Sequence, residues 1–373
     1  MKLIYISNAS FSGSGYLRIS LPLMDEFEKL GHDIKFIGLQ YKGECHEHEY
    51  GIIPAGKELQ QTLTMCQHMD SLFNPDAYVI ALDIPYCGFI PAQLRSAGVK
   101  KPIAGIFPIE SGPLSPTWGG KIAALSTGFC ISRFGTDMAR MYNPNIRYLP
   151  MGITDDFYVM PDKLALRKKY GIREDAFVIL TVAENQERKN LSAAMDIVKG
   201  VGSIIDKPVV YILVTTKDMP VGWTIDDYWY ETDSDVDFRV IERGIGDDIM
   251  REYYNVADTF LITSKAEGWC MPITEAIACG CPVVGGDHTG IAEQLRGCHY
   301  GLLVPEEYRH RDVWQNAERF YIDRGYATDV LIKMACKEIQ FNDDERLQWL
   351  GDMSWAKSAL ILEEGLKNVT AQK

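Results

Sequence analysis

The sequence predicts an α/β protein made of two parallel-sheet domains, and three observations carry that prediction. The chain opens with an apolar run over residues 2–7, a Gly-rich loop, an amphipathic stretch ending at Gly31 and a second apolar run over residues 33–39. That order of strand, helix and strand implies parallel strands joined by a right-handed crossover. The same order returns late in the chain, where apolar residues 259–263 precede a loop, a short helical stretch closed by Gly280, and another apolar run from Pro282 to Val284. Finally, 373 residues suffice for two sizeable cores. The strand–helix rhythm lapses at residues 151–160, which places the interdomain linker there.

The first domain is assigned to residues 1–157. Its first helix carries Leu17, Leu21, Met24, Phe27 and Leu30 on one face and stops at Gly31. Pro22 is expected to kink this helix or delay its start. Short strands follow at residues 77–82, 102–107, 128–132 and 147–149. The second domain, residues 158–352, begins in earnest near Asp162. Strands are expected at residues 177–183, 209–215, 238–241, 259–263, 282–285 and 301–304, with a helix at 190–200. Residues 219–237 are aromatic and acidic, with Trp223, Tyr228, Trp229 and Tyr230, and read as a surface insertion with aromatics packed beneath it. Residues 346–368 read as helical, and 353–373 form a closing helical segment.

Composition narrows the function classes. There are 51 Asp and Glu against 38 Lys and Arg, a net charge of −13, which opposes non-specific binding to nucleic acid or anionic membrane. No run of eighteen apolar residues appears, so no transmembrane helix is expected. The first residues read as a buried strand rather than a signal peptide. Nine cysteines lack paired spacing and read as free thiols in a reducing cytoplasm. Cys279 and Cys281 are one residue too close for a redox pair. Cys45, His46 and His48 read as a solvated loop, so no metal site is expected.

The most specific segment is EGWCMPITE, residues 267–275. Glu267 falls on a loop at the carboxyl end of a strand, and Glu275 near the first turn of a helix for which Pro272 suits the first position. Ligands of open α/β sheets bind at that edge, and a helix N-terminus there favours a phosphate. Two carboxylates beside a phosphate site suit hydroxyl groups, such as those of a ribose and a sugar. With the following EAIACGCPVV, this segment resembles the E-x7-E signature of retaining GT-B glycosyltransferases of family four. The resemblance implies a GT-B fold, two Rossmann-like domains facing a central cleft, with the C-terminal helix packing back on the first domain. It implies that Glu267 contacts the donor sugar and Glu275 the nucleotide ribose. It puts donor contacts also on Gly268, Trp269, Cys270 and Met271.

A departing diphosphate needs fixed positive charge. Arg188 and Lys189, between a predicted strand and helix, resemble the family element that grips it. Lys189 matches the family lysine, whereas Glu184 stands where the family has arginine, so Arg188 is expected to substitute. Gly13 and Gly15 resemble the Gly-rich loop over the donor phosphates; Arg18 in the third Gly place breaks a dinucleotide fingerprint. Gly244 follows the strand near which the base lies in relatives. Glu110 takes the place of a first-domain acid facing the sugar, and Asp83 ends the preceding strand as a second candidate; no His fills the usual catalytic place. The resemblance thus implies a retaining, metal-independent, cytoplasmic glycosyltransferase with no cofactor beyond its nucleoside-diphosphate-sugar substrate. The acceptor is a hydroxyl on a glycan, lipid, small molecule or modified nucleobase. A nucleotide-sugar epimerase or phosphorylase of the same fold, a glycosyltransferase of modified DNA bases and a non-catalytic sugar-binding relative stay open as alternatives.

Overall fold

A computed structural model describes residues 1–11, 14–55, 58–313 and 316–371. It divides into two units, residues 1–152 with 353–373, and residues 153–352.

Unit 1 is a seven-stranded parallel sheet in the order β3-β2-β1-β4-β5-β6-β7. In chain order its elements are β1 (Lys2–Asn8), α1 (Gly15–Lys29), β2 (Asp33–Leu39), β3 (Gly51–Pro54), α2 (Leu59–Phe73), β4 (Ala77–Ala81), α3 (Ile84–Ser96), β5 (Ile103–Phe107), α4 (Pro116–Ala123), β6 (Thr127–Cys130), α5 (Arg133–Arg140) and β7 (Ile146–Tyr148). The α1 helix starts before Pro22 and continues past it, so its start is not delayed. The missing N–H is outweighed by a buried stripe of Leu17, Leu23, Met24 and Phe27.

Unit 2 holds a six-stranded parallel sheet in the order β10-β9-β8-β11-β12-β13 and a separate antiparallel hairpin, β14-β15. Its elements are α6 (Lys163–Lys169), β8 (Phe177–Val182), a 3-10 turn (Glu187–Lys189), α7 (Leu191–Gly202), β9 (Val209–Thr215), α8 (Ile225–Tyr230), β10 (Asp237–Glu242), α9 (Asp247–Val256), β11 (Thr259–Ile262), α10 (Met271–Ala278), β12 (Val283–Gly286), α11 (Thr289–Cys298), β13 (Gly301–Val304), β14 (Glu306–Arg311), β15 (Glu318–Ile322), α12 (Arg324–Ala335) and α13 (Asp343–Leu350). Both faces of this sheet are covered, which explains the continuous apolar runs in the sequence. Val178, Leu180, Val210, Ile212 and Val214 join one core layer. Their alternating neighbours Phe177, Ile179, Val209, Tyr211 and Leu213 join the other.

The expected single helix over residues 346–368 is two. After α13 the chain turns at residues 351–354, and Ser354 accepts a bond from the Lys357 N–H to start α14 (Trp355–Thr370). Within unit 1, α14 lies against α1, with His32 Nε2 2.9 Å from Glu363 Oε1 and Ser358 Oγ donating to the Pro150 carbonyl at 2.6 Å. The stretch at 219–237 is not wholly a loop. It contains α8, whose buried Trp229 stacks on Phe238 with ring centres 4.1 Å apart. At Cys45–His48, the His48 Nδ1 lies 2.7 Å from Asp25, and no group of three or more His, Cys, Asp or Glu placed to hold a metal occurs among the described residues.

Candidate active site

In a doubly wound sheet, ligands gather where the strand order reverses, at the carboxyl ends of the strands. In unit 2 that point lies between β8 and β11, which are direct neighbours. The loops leaving those two strands carry Arg188 and Lys189 on one side and Glu267 on the other.

The loops are stapled together through their backbones. The Lys265 N–H donates to the Arg188 carbonyl at 2.8 Å, and Thr263 Oγ1 donates to the Lys189 and Asn190 carbonyls at 3.2 and 2.9 Å. Asn190 takes a left-handed φ of 53°, which turns the chain from the 3-10 turn into α7. Across this seam Lys189 Nζ lies 2.5 Å from Glu267 Oε1, and Arg188 lies 3.0 Å from Oε2. Arg188 also donates to the Ala266 carbonyl at 2.5 Å. Glu267 is 5% exposed. Burial alone would raise its carboxyl, but the Arg188 and Lys189 charges outweigh burial and hold it down at about 2.

A third loop supports the seam. The Glu267 N–H donates to Thr289 Oγ1 at 3.1 Å, and the Gly290 N–H to the Glu267 carbonyl at 3.0 Å. A Cβ on Gly290 would come within 2.7 Å of the Gly268 carbonyl, so only glycine fits this close approach. His288 sits beside Thr289, with Nδ1 3.3 Å from Thr289 Oγ1 and its ring stacked on Phe320 at 4.8 Å. Burial pushes this imidazole down to about 4 against the pull of Glu267, so it is neutral near pH 7. The hairpin joins in through Phe320, whose N–H donates to the Lys265 carbonyl, and Tyr321, whose ring lies 4.5 Å from the Lys265 ammonium.

The other expected donor-site residues fall as follows. Glu275 is buried in α10 and accepts a bond from the Tyr254 hydroxyl at 2.8 Å. Met271 opens α10, with Pro272 in its second place rather than its first. Cys270 precedes it with a φ of 145°, a conformation that L side chains rarely adopt. Trp269 points inward: it is 4% exposed, and its indole N–H donates to Thr274 Oγ1 at 3.2 Å. Its side chain therefore shapes the loop from within. Gly244 follows β10 with a φ of 91°. Glu184, the departure from the family pattern, is ion-paired with Arg243, so a cation stands at that edge after all. Lys265 belongs to the seam although no sequence motif pointed to it.

In unit 1 the strand order reverses between β1 and β4. Gly15 begins α1 there, with open space where a Cβ would stand; Gly13 lies outside the described residues. Asp83 follows β4 at the surface, and Tyr16, from the first turn of α1, donates to Asp83 Oδ1 at 2.6 Å. Burial first, then the Asp83 charge, push the Tyr16 phenol well above its usual range, and Glu110 after β5 adds to the push. Of the two acids that the sequence singled out, Asp83 is the one that Tyr16 bonds.

Residues 176–323 match the family described as Glycosyl transferases group 1. The match lies within unit 2 and covers less than half of the chain. Among curated proteins it is 26% identical over 188 residues to D-inositol 3-phosphate glycosyltransferase of Geodermatophilus obscurus, covering 47% of this chain and 39% of that one. It is 26% identical over 196 residues to N-acetyl-alpha-D-glucosaminyl L-malate synthase of Bacillus anthracis, covering 47% and 48%. The matched stretches thus span less than half of each relative's length. Among solved structures, sucrose-phosphate synthase from Thermosynechococcus elongatus superposes with a TM-score of 0.74 at 14% identity over all of both chains. An Anabaena protein, Alr3699/HepE, solved with UDP and glucose, gives 0.69 at 14% identity over 99% of this chain and all of that one. The architecture is therefore GT-B, two α/β units each on its own parallel sheet. No helix among the described residues is long and apolar enough to cross a membrane.

Proposed function

We propose that this protein is a retaining glycosyltransferase that moves a sugar from a nucleoside-diphosphate sugar to a hydroxyl acceptor. The observation that carries the reading is the meeting of Arg188, Lys189 and Glu267 where the strand order of unit 2 reverses. Negative charge builds on the diphosphate as the glycosidic bond breaks, and two fixed cations answer it without a metal ion. Glu267, ionised down to about pH 2, accepts hydrogen bonds from donor-sugar hydroxyls. Glu275 takes the ribose hydroxyls, and the backbone around Gly244 lies by the base. The amides of residues 268–271 approach the sugar, with the side chain of Trp269 serving the fold. Unit 1 binds the acceptor, and Glu110 and Asp83, the latter bonded by Tyr16, are its candidates for contact with the reacting sugar. Nine cysteines, none in a disulfide among the described residues, fit a reducing cytoplasm.

Thermal unfolding in EDTA with UDP, GDP and ADP tests the donor assignment. One of them, at a hundredfold excess over its dissociation constant, should stabilise unit 2 by about 2.7 kcal/mol. Mass analysis of products with the matching nucleotide sugars then identifies the transfer. Absence of any stabilisation by all three nucleotides would refute the donor site.

A further inference from the structure

Two like charges, Arg188 and Lys189, are held next to each other and largely out of solvent, with side chains 19% and 15% exposed. Each takes one oxygen of the same buried carboxylate, as each would take one oxygen of a phosphate group. We infer that Glu267 is an intramolecular competitor of the diphosphate. It holds both cations in place before the donor binds, and it takes them back as the diphosphate product leaves.

The argument is one of charge. Lysine and arginine together have N–H groups enough to serve a carboxylate and a phosphate at once. Their charge is another matter: two positive charges cannot fully neutralise a carboxylate and a diphosphate together. A diphosphate bound at Arg188 and Lys189 therefore meets the repulsion of Glu267. That repulsion is poorly screened, because the carboxylate is buried. Removing the carboxylate has two consequences of opposite sign. The cations, left to repel each other in a partly dry site, destabilise unit 2. The same uncompensated charge tightens the hold on any diphosphate. A residue that merely supported the fold would, on removal, weaken both properties together. In turnover, the return of Glu267 to its cations speeds product release, a step that limits many enzymes.

The inference rests on the donor-site reading above, and the test separates the two. Titration calorimetry in EDTA compares the full-length protein with Glu267→Gln and Glu267→Asp, using inorganic pyrophosphate, UDP, GDP and ADP, none of which carries a sugar. Melting temperatures are taken in parallel. Glu267→Gln should melt lower yet bind pyrophosphate and the preferred nucleotide about tenfold more tightly or better. Glu267→Asp, one methylene too short to span both cations, should fall between. If the wild type binds a diphosphate and the folded Gln variant binds it no tighter, the competition is refuted while the donor site stands. Should the Gln variant fail to fold, an Asp variant with unchanged affinity refutes it equally. If neither pyrophosphate nor any nucleotide binds any of the three proteins at millimolar concentration, the donor site and the competition fall together.

Discussion

In unit 2 the loops after β8 and β11 meet through a carboxylate shared by two cations, and that carboxylate is 5% exposed. In unit 1 the segments after β1 and β4 occupy the same topological position, where a parallel sheet changes winding direction, yet the bond described there is a phenol–carboxylate bond whose Asp83 is at the surface. The topology supplies a place where two loops must touch; burial decides what that touch is worth. Charges out of water are expensive unless paired, so the unit 2 seam is preorganised and strongly coupled. A surface pair is screened and adds little. The first arrangement suits an anionic group whose charge changes during reaction. The second suits a site that accommodates a neutral hydroxyl acceptor.

Lys189→Met should break this contrast most severely. It leaves Glu267 with Arg188 and removes half of the charge available to a departing diphosphate. Loss of one such electrostatic contact costs about 10²–10³-fold in turnover. Initial rates with the nucleotide sugar identified by thermal shift would show it, and a Met variant with full turnover would place the diphosphate elsewhere.

A second experiment asks how far the unit 2 seam extends into the His288–Thr289 loop. The native imidazole is held down to about 4 by burial, against an ordinary value of 6.5. Between those values the unfolded chain binds the proton and the native chain does not. Stability from this group is therefore complete above pH 6.5 and falls as the pH drops toward 4, by roughly 3 kcal/mol at most. Glu267 acts in a separate, lower window. Its folded value of about 2 lies below the ordinary 4.5, so its contribution is lost only as pH falls from 4.5 toward 2. His288→Phe keeps an aromatic ring beside Phe320 but cannot titrate. Urea unfolding from about pH 7 to about pH 4.5 should give a flatter stability profile for this variant. Profiles running parallel with wild type would remove His288 from the titration.

Much of this was legible in the sequence, for local reasons. Strands such as β8 and β9 stand out because both faces are buried and the apolar run is unbroken. Arg188, Lys189 and Glu267 stand out because each lies just past an apolar strand and just before a helix. That they form one cluster depends on β8 lying beside β11, a pairing set by tertiary packing between segments far apart in the chain. Tyr16 was silent for the same reason: Asp83 is 67 positions away. The β14-β15 hairpin escaped because β14 is exposed on both faces and so shows no apolar alternation. Cys270 gave no sign of its left-handed backbone, which sequence reveals most readily through glycine. Nor does the sequence show that the Trp269 N–H bonds Thr274 within the loop, a contact set by how the loop folds onto α10.

Tyr16→Phe should have the smallest effect, and for that reason it sharpens the comparison best. It deletes a hydroxyl that joins the two segments of unit 1 and keeps the aromatic ring. Water can replace the lost donor at Asp83, because that carboxylate is exposed. The cost in urea unfolding should be no more than about 1 kcal/mol. Diphosphate affinity should move little, since the two cations proposed for that group come from unit 2. Turnover should fall by less than about tenfold, the amount expected when a positioning bond to a solvated acid is lost. A loss of several kcal/mol, approaching what breaking a buried ion pair costs, would mean that the unit 1 junction is as tightly coupled as the Arg188–Lys189–Glu267 seam. Burial would then no longer account for the difference between the two.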